Sequence, residues 1–276
     1  MTTKLVRMLS VVKSTAFFLL LAAAEIGAAQ SGYKVVPLSG AAKITGTVKW
    51  SGPLPHSPSL PITKDTSICD PDSQKTRDLE RLIVDDQGGV ANTVVFLKNI
   101  TSGKAMDLPK PRRFLDQRHC RYEPHILLVA ESTELQMKSS DPTLHTIHMS
   151  GAATYNLPFP FTNQIVSRVM PTTGVVNLQC NGGHLWMNAE MFVVPHPYFA
   201  VTDESGKFEL TDVPPGEYEI VAWHEGWRVV GQQSTLDVLT QLRVQRPIFS
   251  ESRTWEKRVT VGEHQTALVN FVLSGK

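Results

Sequence analysis

Short apolar runs, broken repeatedly by Pro and Gly, constrain this chain most. Eighteen Pro and eighteen Gly separate stretches rich in Val, Ile, Thr and Phe. The clearest are Ile44 to Trp50, Leu82 to Asp85, Thr93 to Leu97, His125 to Ala130, Val175 to Gln179, Met191 to Val194, Phe208 to Leu210, Tyr218 to Trp223 and Leu268 to Leu273. Runs of this length bounded by turn residues read as β-strands. Helical periodicity is weak almost everywhere. The pattern predicts an all-β chain of sandwiches or barrels. One stretch, Ser234 to Arg243, reads equally as a short helix or as a strand and loop.

The amino terminus sets the compartment. Lys4, Arg7 and Lys13 flank an apolar run from Ala16 to Ala24, and small residues Gly27-Ala28-Ala29 precede Gln30. This is the layout of a signal peptide, expected over residues 1–29. The run is shorter than the about 20 apolar residues of a bilayer span; an uncleaved anchor is the alternative. No later run is long enough to span, so no membrane span is expected after cleavage. The expected location is periplasmic or secreted. The formal net charge of +1 becomes about −1 once Lys4, Arg7, Lys13 and Glu25 leave with the signal. So balanced a surface argues against nucleic acid or an anionic membrane as the main partner.

Export changes how the three cysteines are read. Thiols outside the cytoplasm tend to pair, and three is odd, so one stays free or binds metal. Cys180 stands in Cys180-Asn181-Gly182-Gly183-His184-Leu185-Trp186-Met187, where a thiol, an imidazole and a thioether share one short segment. Cys69 and Cys120 have no such neighbours, and a Cys69–Cys120 disulfide is expected. The alternatives are two separate thiols, or Cys120 in a metal site with His119 or His125. Upstream, Asp141-Pro142-Thr143-Leu144-His145-Thr146-Ile147-His148 offers a further imidazole. A lone Cys or Met in a β-protein is usually core. Soft sulfur with imidazole, however, selects copper among common metals, and two His, one Cys and a weak axial Met make a mononuclear electron-transfer set. His148 rivals His145, but three residues along a strand it points to the opposite face.

The Cys-x3-His-x2-Met segment resembles the ligand loop of the cupredoxins, over about residues 80 to 195. Its spacing is similar to the second half of the dinuclear copper loop of cytochrome oxidase subunit 2. That family has another Cys four positions earlier, where this chain has Val176, which argues against a dinuclear centre. The resemblance implies a type-1-like copper site with Cys180 as thiolate, His145 and His184 as equatorial imidazoles and Met187 as axial ligand. Many cupredoxins carry Asn after the first His. Thr146 stands there, which puts the usual supporting hydrogen bond in doubt. Phe159 to Phe161 would supply an apolar collar.

Pro195-His196-Pro197 reads as a boundary, with His196 as a hinge. After it, Thr202-Asp203-Glu204-Ser205-Gly206-Lys207-Phe208 carries a hairpin turn with Gly free to take positive φ. Val213-Pro214-Pro215-Gly216-Glu217-Tyr218 carries a second reversal. This pair of turns resembles the carboxypeptidase regulatory-like (transthyretin-like) β-sandwich family, over residues 197 to 273 with the Ile44 strand as a further candidate. Modules of that family are usually accessory, and some bind carbohydrate.

The expected organisation is therefore a signal peptide (1–29), an N-terminal segment with one strand and a Pro/Ser-rich loop (30–80), a cupredoxin-like Greek-key β-sandwich (81–195) and a smaller transthyretin-like β-sandwich (196–276). Residues 30 to about 43 read as a flexible lead. The expected function is non-enzymatic, single-electron transfer on copper (Cu) to or from a redox partner protein. The competing reading is a structural module holding a polysaccharide or cell-envelope partner, with exposed Trp223, Trp227 and Trp255 as its signature. His125 and His224 read as structural.

Overall fold

The computed structural model describes residues 32–108, 114–237 and 241–275. The expected signal peptide lies outside the described residues. None of the helices among the described residues is long and apolar enough to cross a membrane.

Two β-sandwiches account for nearly all of the described chain. In the first, a four-stranded sheet in the order Ile165–Val169, Glu134–Ser139, Phe114–Arg118, Arg121–Glu123 faces a five-stranded sheet in the order Tyr155–Phe159, His145–Gly151, Gly174–Gln179, Asn188–Val194, Ile126–Ala130. Leu115, Met137, Ile147, Met149, Leu178 and Met191 fill the space between. In the second, Phe199–Val201, Val94–Lys98, Gly216–His224 and Arg253–Val261 form one sheet. Lys207–Val213, Ala42–Ser51, Thr266–Leu268 and Phe271–Ser274 form the other. Ile44, Val48, Leu97, Leu210, Ile220 and Phe271 make that core. Tyr218, Ile220 and Ala222 share its inner face as the alternation implies.

The sequence places Val94–Lys98 in the 81–195 segment. In the structure it hydrogen-bonds to Phe199–Val201 and Gly216–His224, inside the second sandwich. That sandwich also recruits Ala42–Ser51, so it is built from segments on both sides of the first sandwich in sequence. The physical reason lies in the alternation along the strand. Val95 and Leu97 point into the second core, while Val94 and Phe96 point the other way. There they meet Ile126, Leu128, Phe192, Val194, Phe199 and Trp223, a third apolar layer between the sandwiches. Phe96 stacks on Phe199 with centroids 4.8 Å apart, and Phe192 meets Trp223 edge-on at 4.6 Å. Burying each such side chain is worth roughly 1.5–3 kcal/mol. Ile126–Ala130 is buried at every position because both its faces are covered, which explains its unbroken apolar run. The described residues consequently form one compact unit.

Several local expectations change for the same reason. The Asp203–Gly206 turn exists, with Asp203 Oδ1 accepting the N–H groups of Ser205 and Lys207 at 2.9 Å each. It does not close a hairpin, because its two flanking strands join opposite sheets. Gly206 is required there: at φ +75°, a Cβ would lie 2.3 Å from the Val48 carbonyl oxygen. His196 is not a hinge; it is buried among Phe199, Tyr198 and Tyr33, and that burial pushes its imidazole down to about 4. Nor is the lead segment free, since Lys34–Val35 pairs with Ser102–Gly103. The ambiguous Ser234 to Arg243 stretch belongs to a two-stranded ribbon, Val229–Leu236 with Arg243–Phe249; residues 238–240 lie outside the described residues. Trp223 and Trp227 are buried rather than exposed, and Trp255 is half-buried.

A buried polar cluster sits where the sandwiches meet. Arg81 contacts Glu225 at 2.7 Å and Glu190 at 3.7 Å, and His125 pairs with Glu225. The Asn177 side-chain amide lies 2.9 and 3.1 Å from the two Glu190 oxygens. Burial, and then the charge of Glu225, raise the Glu190 carboxyl from 4.5 to about 8. A carboxyl raised on folding keeps its stabilising proton below the unfolded value and loses it as pH rises through the folded one. The wild-type protein is therefore expected to lose stability between about pH 4.5 and 8, with a ceiling of roughly 5 kcal/mol. Glu190→Gln, uncharged throughout, should flatten that profile in urea unfolding. Parallel profiles for the two proteins would refute this.

Candidate metal centre

The loop between Gly174–Gln179 and Asn188–Val194 carries Cys180, His184 and Met187. Its base is clamped by the antiparallel register Gln179↔Asn188. Inside, Met187 N–H donates to His184 O at 3.0 Å and Cys180 N–H to Met187 O at 3.4 Å. Gly183 sits at φ +90°, and a Cβ there would lie 2.8 Å from Asp237 Oδ2 and 2.9 Å from Lys64 Cδ. Gly183 thus admits both a left-handed turn and close neighbours.

His145 opens the neighbouring strand, His145–Gly151, which pairs with Gly174–Gln179. That register brings His145, Cys180 and His184 together: one donor atom from each lies within 4.8 Å of the others. His145 Nδ1 is 3.2 Å from His184 Nδ1, and Cys180 Sγ is 3.7 Å from His184 Nδ1. All three side chains are fully buried. Met187 is buried in the same core cluster. His148 is half-buried on the other side of its strand and takes no part in the cluster. Cys69 and Cys120 are disulfide-bonded. Neither His119 nor His125 joins a metal-ligating group with Cys120 among the described residues. Phe159 is buried directly across from His145, whereas Phe161 is exposed.

Carboxylates that the sequence reading did not assign occupy the far nitrogen of each imidazole. Asp141 Oδ2 lies 2.9 Å from His145 Nε2, and Asp65 Oδ2 lies 2.9 Å from His184 Nε2. A carboxylate at Nε2 fixes the tautomer with its proton there and leaves the Nδ1 lone pair free. Two lone pairs 3.2 Å apart, beside a sulfur, require a positive charge between them. Bonds of about 2.0 Å to nitrogen and about 2.3 Å to sulfur place the donors of a trigonal ion about 3.5 Å (nitrogen to nitrogen) and about 3.7 Å (nitrogen to sulfur) apart. The donor set and its spacing therefore fit a soft first-row metal ion.

Without metal the charge is a proton. Burial alone would push His145 down; the Asp141 hydrogen bond and the Cys180 sulfur overcome it and raise the imidazole to about 9. Burial would likewise raise the Cys180 thiol, but hydrogen bonds from His145 and His184 bring it well below its usual value. Cys180 sulfur also accepts from Gly182 N–H at 3.3 Å. Thr146 takes over the tie expected of an Asn: its hydroxyl accepts from Asn181 N–H at 2.7 Å and lies 3.7 Å from Cys180 Sγ.

Arg246, on the ribbon of the second sandwich, donates to Cys180 O and, at 3.2 Å, to Asn181 Oδ1. Nothing local in the sequence marks Arg246 or Asp65. Asp141 carries a weak signal, four residues before His145.

The class defined by this architecture is an all-β pair of sandwiches with a buried His–Cys–His cluster. A family model for the BOS complex subunit NOMO1-like second β-sandwich domain matches residues 198–247. No curated protein matches the chain. Among solved structures, a copper-containing nitrite reductase from Thermus scotoductus SA-01 is similar at 16% identity and TM-score 0.28, over 33% of this chain and 24% of that one. The chain thus spans about a quarter of the reductase. A purple cupredoxin from Nitrosopumilus maritimus is similar at 22% identity and TM-score 0.24, over 26% of this chain and 81% of that one. An amicyanin variant in its Cu(I) form is similar at 17% identity and TM-score 0.27, over 36% and 98% respectively.

Proposed function

We propose that this chain is a periplasmic or secreted mononuclear copper protein that passes single electrons to and from a redox partner protein. One observation carries the reading: two imidazole Nδ1 atoms and the Cys180 sulfur converge in a buried site, with both Nε2 atoms already held by carboxylates. His145, Cys180 and His184 would hold the ion, with Met187 as the weak fourth ligand. Copper bound there would supply a one-electron Cu(II)/Cu(I) couple.

The chain's own groups do the rest. The strand register fixes His145 and Cys180, and Asp65 and Asp141 orient the rings. Complete burial excludes water and leaves no access for a substrate, so a carrier is favoured over an enzyme. The 198–247 family match supports a structural role for the second sandwich alongside this one. Buried Trp223 and Trp227 do not offer an aromatic platform for polysaccharide.

The test is titration of the purified protein with Cu(II), followed by visible absorption and electron paramagnetic resonance. An intense thiolate-to-copper band with narrow hyperfine splitting at one equivalent supports the reading. No such band at one equivalent overturns it. Met187→Leu is expected to retain copper and raise the reduction potential, since a weak axial donor that favours Cu(II) is removed. Complete loss of copper would show that Met187 holds the ion rather than tuning it.

A further inference from the structure

We propose that Asp65 and Asp141 are positioning residues of this centre whose charge holds its reduction potential down, with the Cys69–Cys120 disulfide bracing both. The proposal rests on the copper reading above. Each carboxylate is held independently of the imidazole it contacts. Asp141 Oδ1 accepts from His119 N–H and Oδ2 from Cys120 N–H, both at 2.8 Å. His119 and Cys120 adopt φ of 52° and 53°, so two successive N–H groups point at one anion. Asp65, at φ 49°, accepts from the Thr143 hydroxyl at 2.7 Å.

The disulfide joins these two supports. Cys69 ends the short Thr66–Cys69 turn that follows Asp65, and Cys120 supplies an N–H to Asp141. The sulfurs of both cysteines and a ring nitrogen of His184 lie within 4.8 Å of one another. Lys64 extends the same segment over the loop, donating to Gly182 O at 2.7 Å. An N-terminal segment far from the ligand loop in sequence therefore covers His184.

The consequence is electrostatic. Two anions at hydrogen-bond distance from the ligand rings stabilise the more positive Cu(II) over Cu(I), and they make the imidazoles better donors. The two are not equal. Asp141 is 7% exposed and Asp65 is 30% exposed, so solvent screens Asp65 more. Asparagine retains a carbonyl that accepts the Nε2 proton but carries no charge, which separates charge from geometry.

The experiment compares wild type, Asp141→Asn and Asp65→Asn, all copper-loaded, by redox titration, Cu(II) affinity and electron paramagnetic resonance. Removing a partner of this kind costs about 10–100-fold in metal affinity. If that loss falls on Cu(II), the potential rises by about 60–120 mV, at about 59 mV per tenfold for one electron. Asp141→Asn should show the larger rise, Asp65→Asn a smaller one, with hyperfine splitting retained in both. Alanine at either position should also alter the splitting, because the ring loses its support. Potentials unchanged in both Asn variants, with the copper band intact, would overturn the proposal and leave the copper reading standing. A wild type that never develops the band would instead overturn the copper reading. Should Asp141→Asn fail to fold, because Asp141 also holds two backbone N–H groups, Asp65→Asn decides alone.

Discussion

Replacing Cys180 with Ser is expected to abolish the intense visible band completely while the fold persists. The band requires a thiolate, and a serine hydroxyl stays protonated in a site of this kind. Geometry changes little, because the hydroxyl can still face Gly182 N–H, the donor to Cys180 sulfur at 3.3 Å. The cost in stability should be about 1–2 kcal/mol, that of one buried polar exchange. Visible absorption reads the first effect, and near-ultraviolet circular dichroism with thermal melting reads the second. Colour that survives the substitution would mean that another residue is the thiolate donor's equal, and the ligand set proposed here would be wrong.

Arg81→Ala is expected to be the most damaging change away from the metal centre, at about 3–5 kcal/mol. The Arg81 side chain is 8% exposed and pairs with Glu225, itself 1% exposed, at 2.7 Å. Its other nitrogens donate to Gly226 O at 2.6 Å and Asn188 Oδ1 at 2.9 Å, and its guanidinium lies 3.9 Å from the Phe249 ring centre. Removing it leaves the Glu225 carboxylate, between the sandwiches, with His125 as its remaining partner. Burial would raise Glu225, yet His125 and Arg81 hold it below its usual value, so the anion is the form that loses its guanidinium partner. For a chain of this size the loss corresponds to roughly 6–20 °C in Tm. Adding Glu225→Gln should recover much of it, since the under-compensated buried charge disappears. A single variant that melts within a degree or two of wild type would show that the pair is energetically idle.

Arg81 and Arg246 also bear on the metal loop. Arg81 holds Asn188, at the loop's exit, and Arg246 holds Cys180 O at its entry. Both residues belong to segments outside the 81–195 core or at its margin. The first sandwich therefore does not present the loop alone. The interface with the second sandwich and its ribbon restrains both ends.

Legibility in the sequence tracks how local each interaction is. The all-β class was readable because a strand's period of two and its turn residues lie within a few positions of each other. The loop from Cys180 to Met187 was readable because its donors share one segment, and those donors beside Cys180 left Cys69 and Cys120 as the pair that is bonded. Other features escaped. The exchange of sheets at Asp203–Gly206 was invisible, because a tight turn looks the same whether its strands pair or cross. Val94–Lys98 was assigned to the wrong neighbour's stretch because its apolar residues suit either sandwich, and only the two-faced packing of Val94, Val95, Phe96 and Leu97 decides between them.

What the sequence determined by itself is the strand content, the compact Cys180–His184–Met187 segment and the chemistry those donors favour. Only the tertiary structure decided that His145 rather than His148 faces the cluster, through the register of its strand with Gly174–Gln179. It alone decided that Asp65 meets His184 across 119 residues and that Arg246 meets Cys180 across 66. The reason is physical: spacing along a chain encodes periodicity and local turns, whereas contacts between distant segments arise only when buried faces choose their partners.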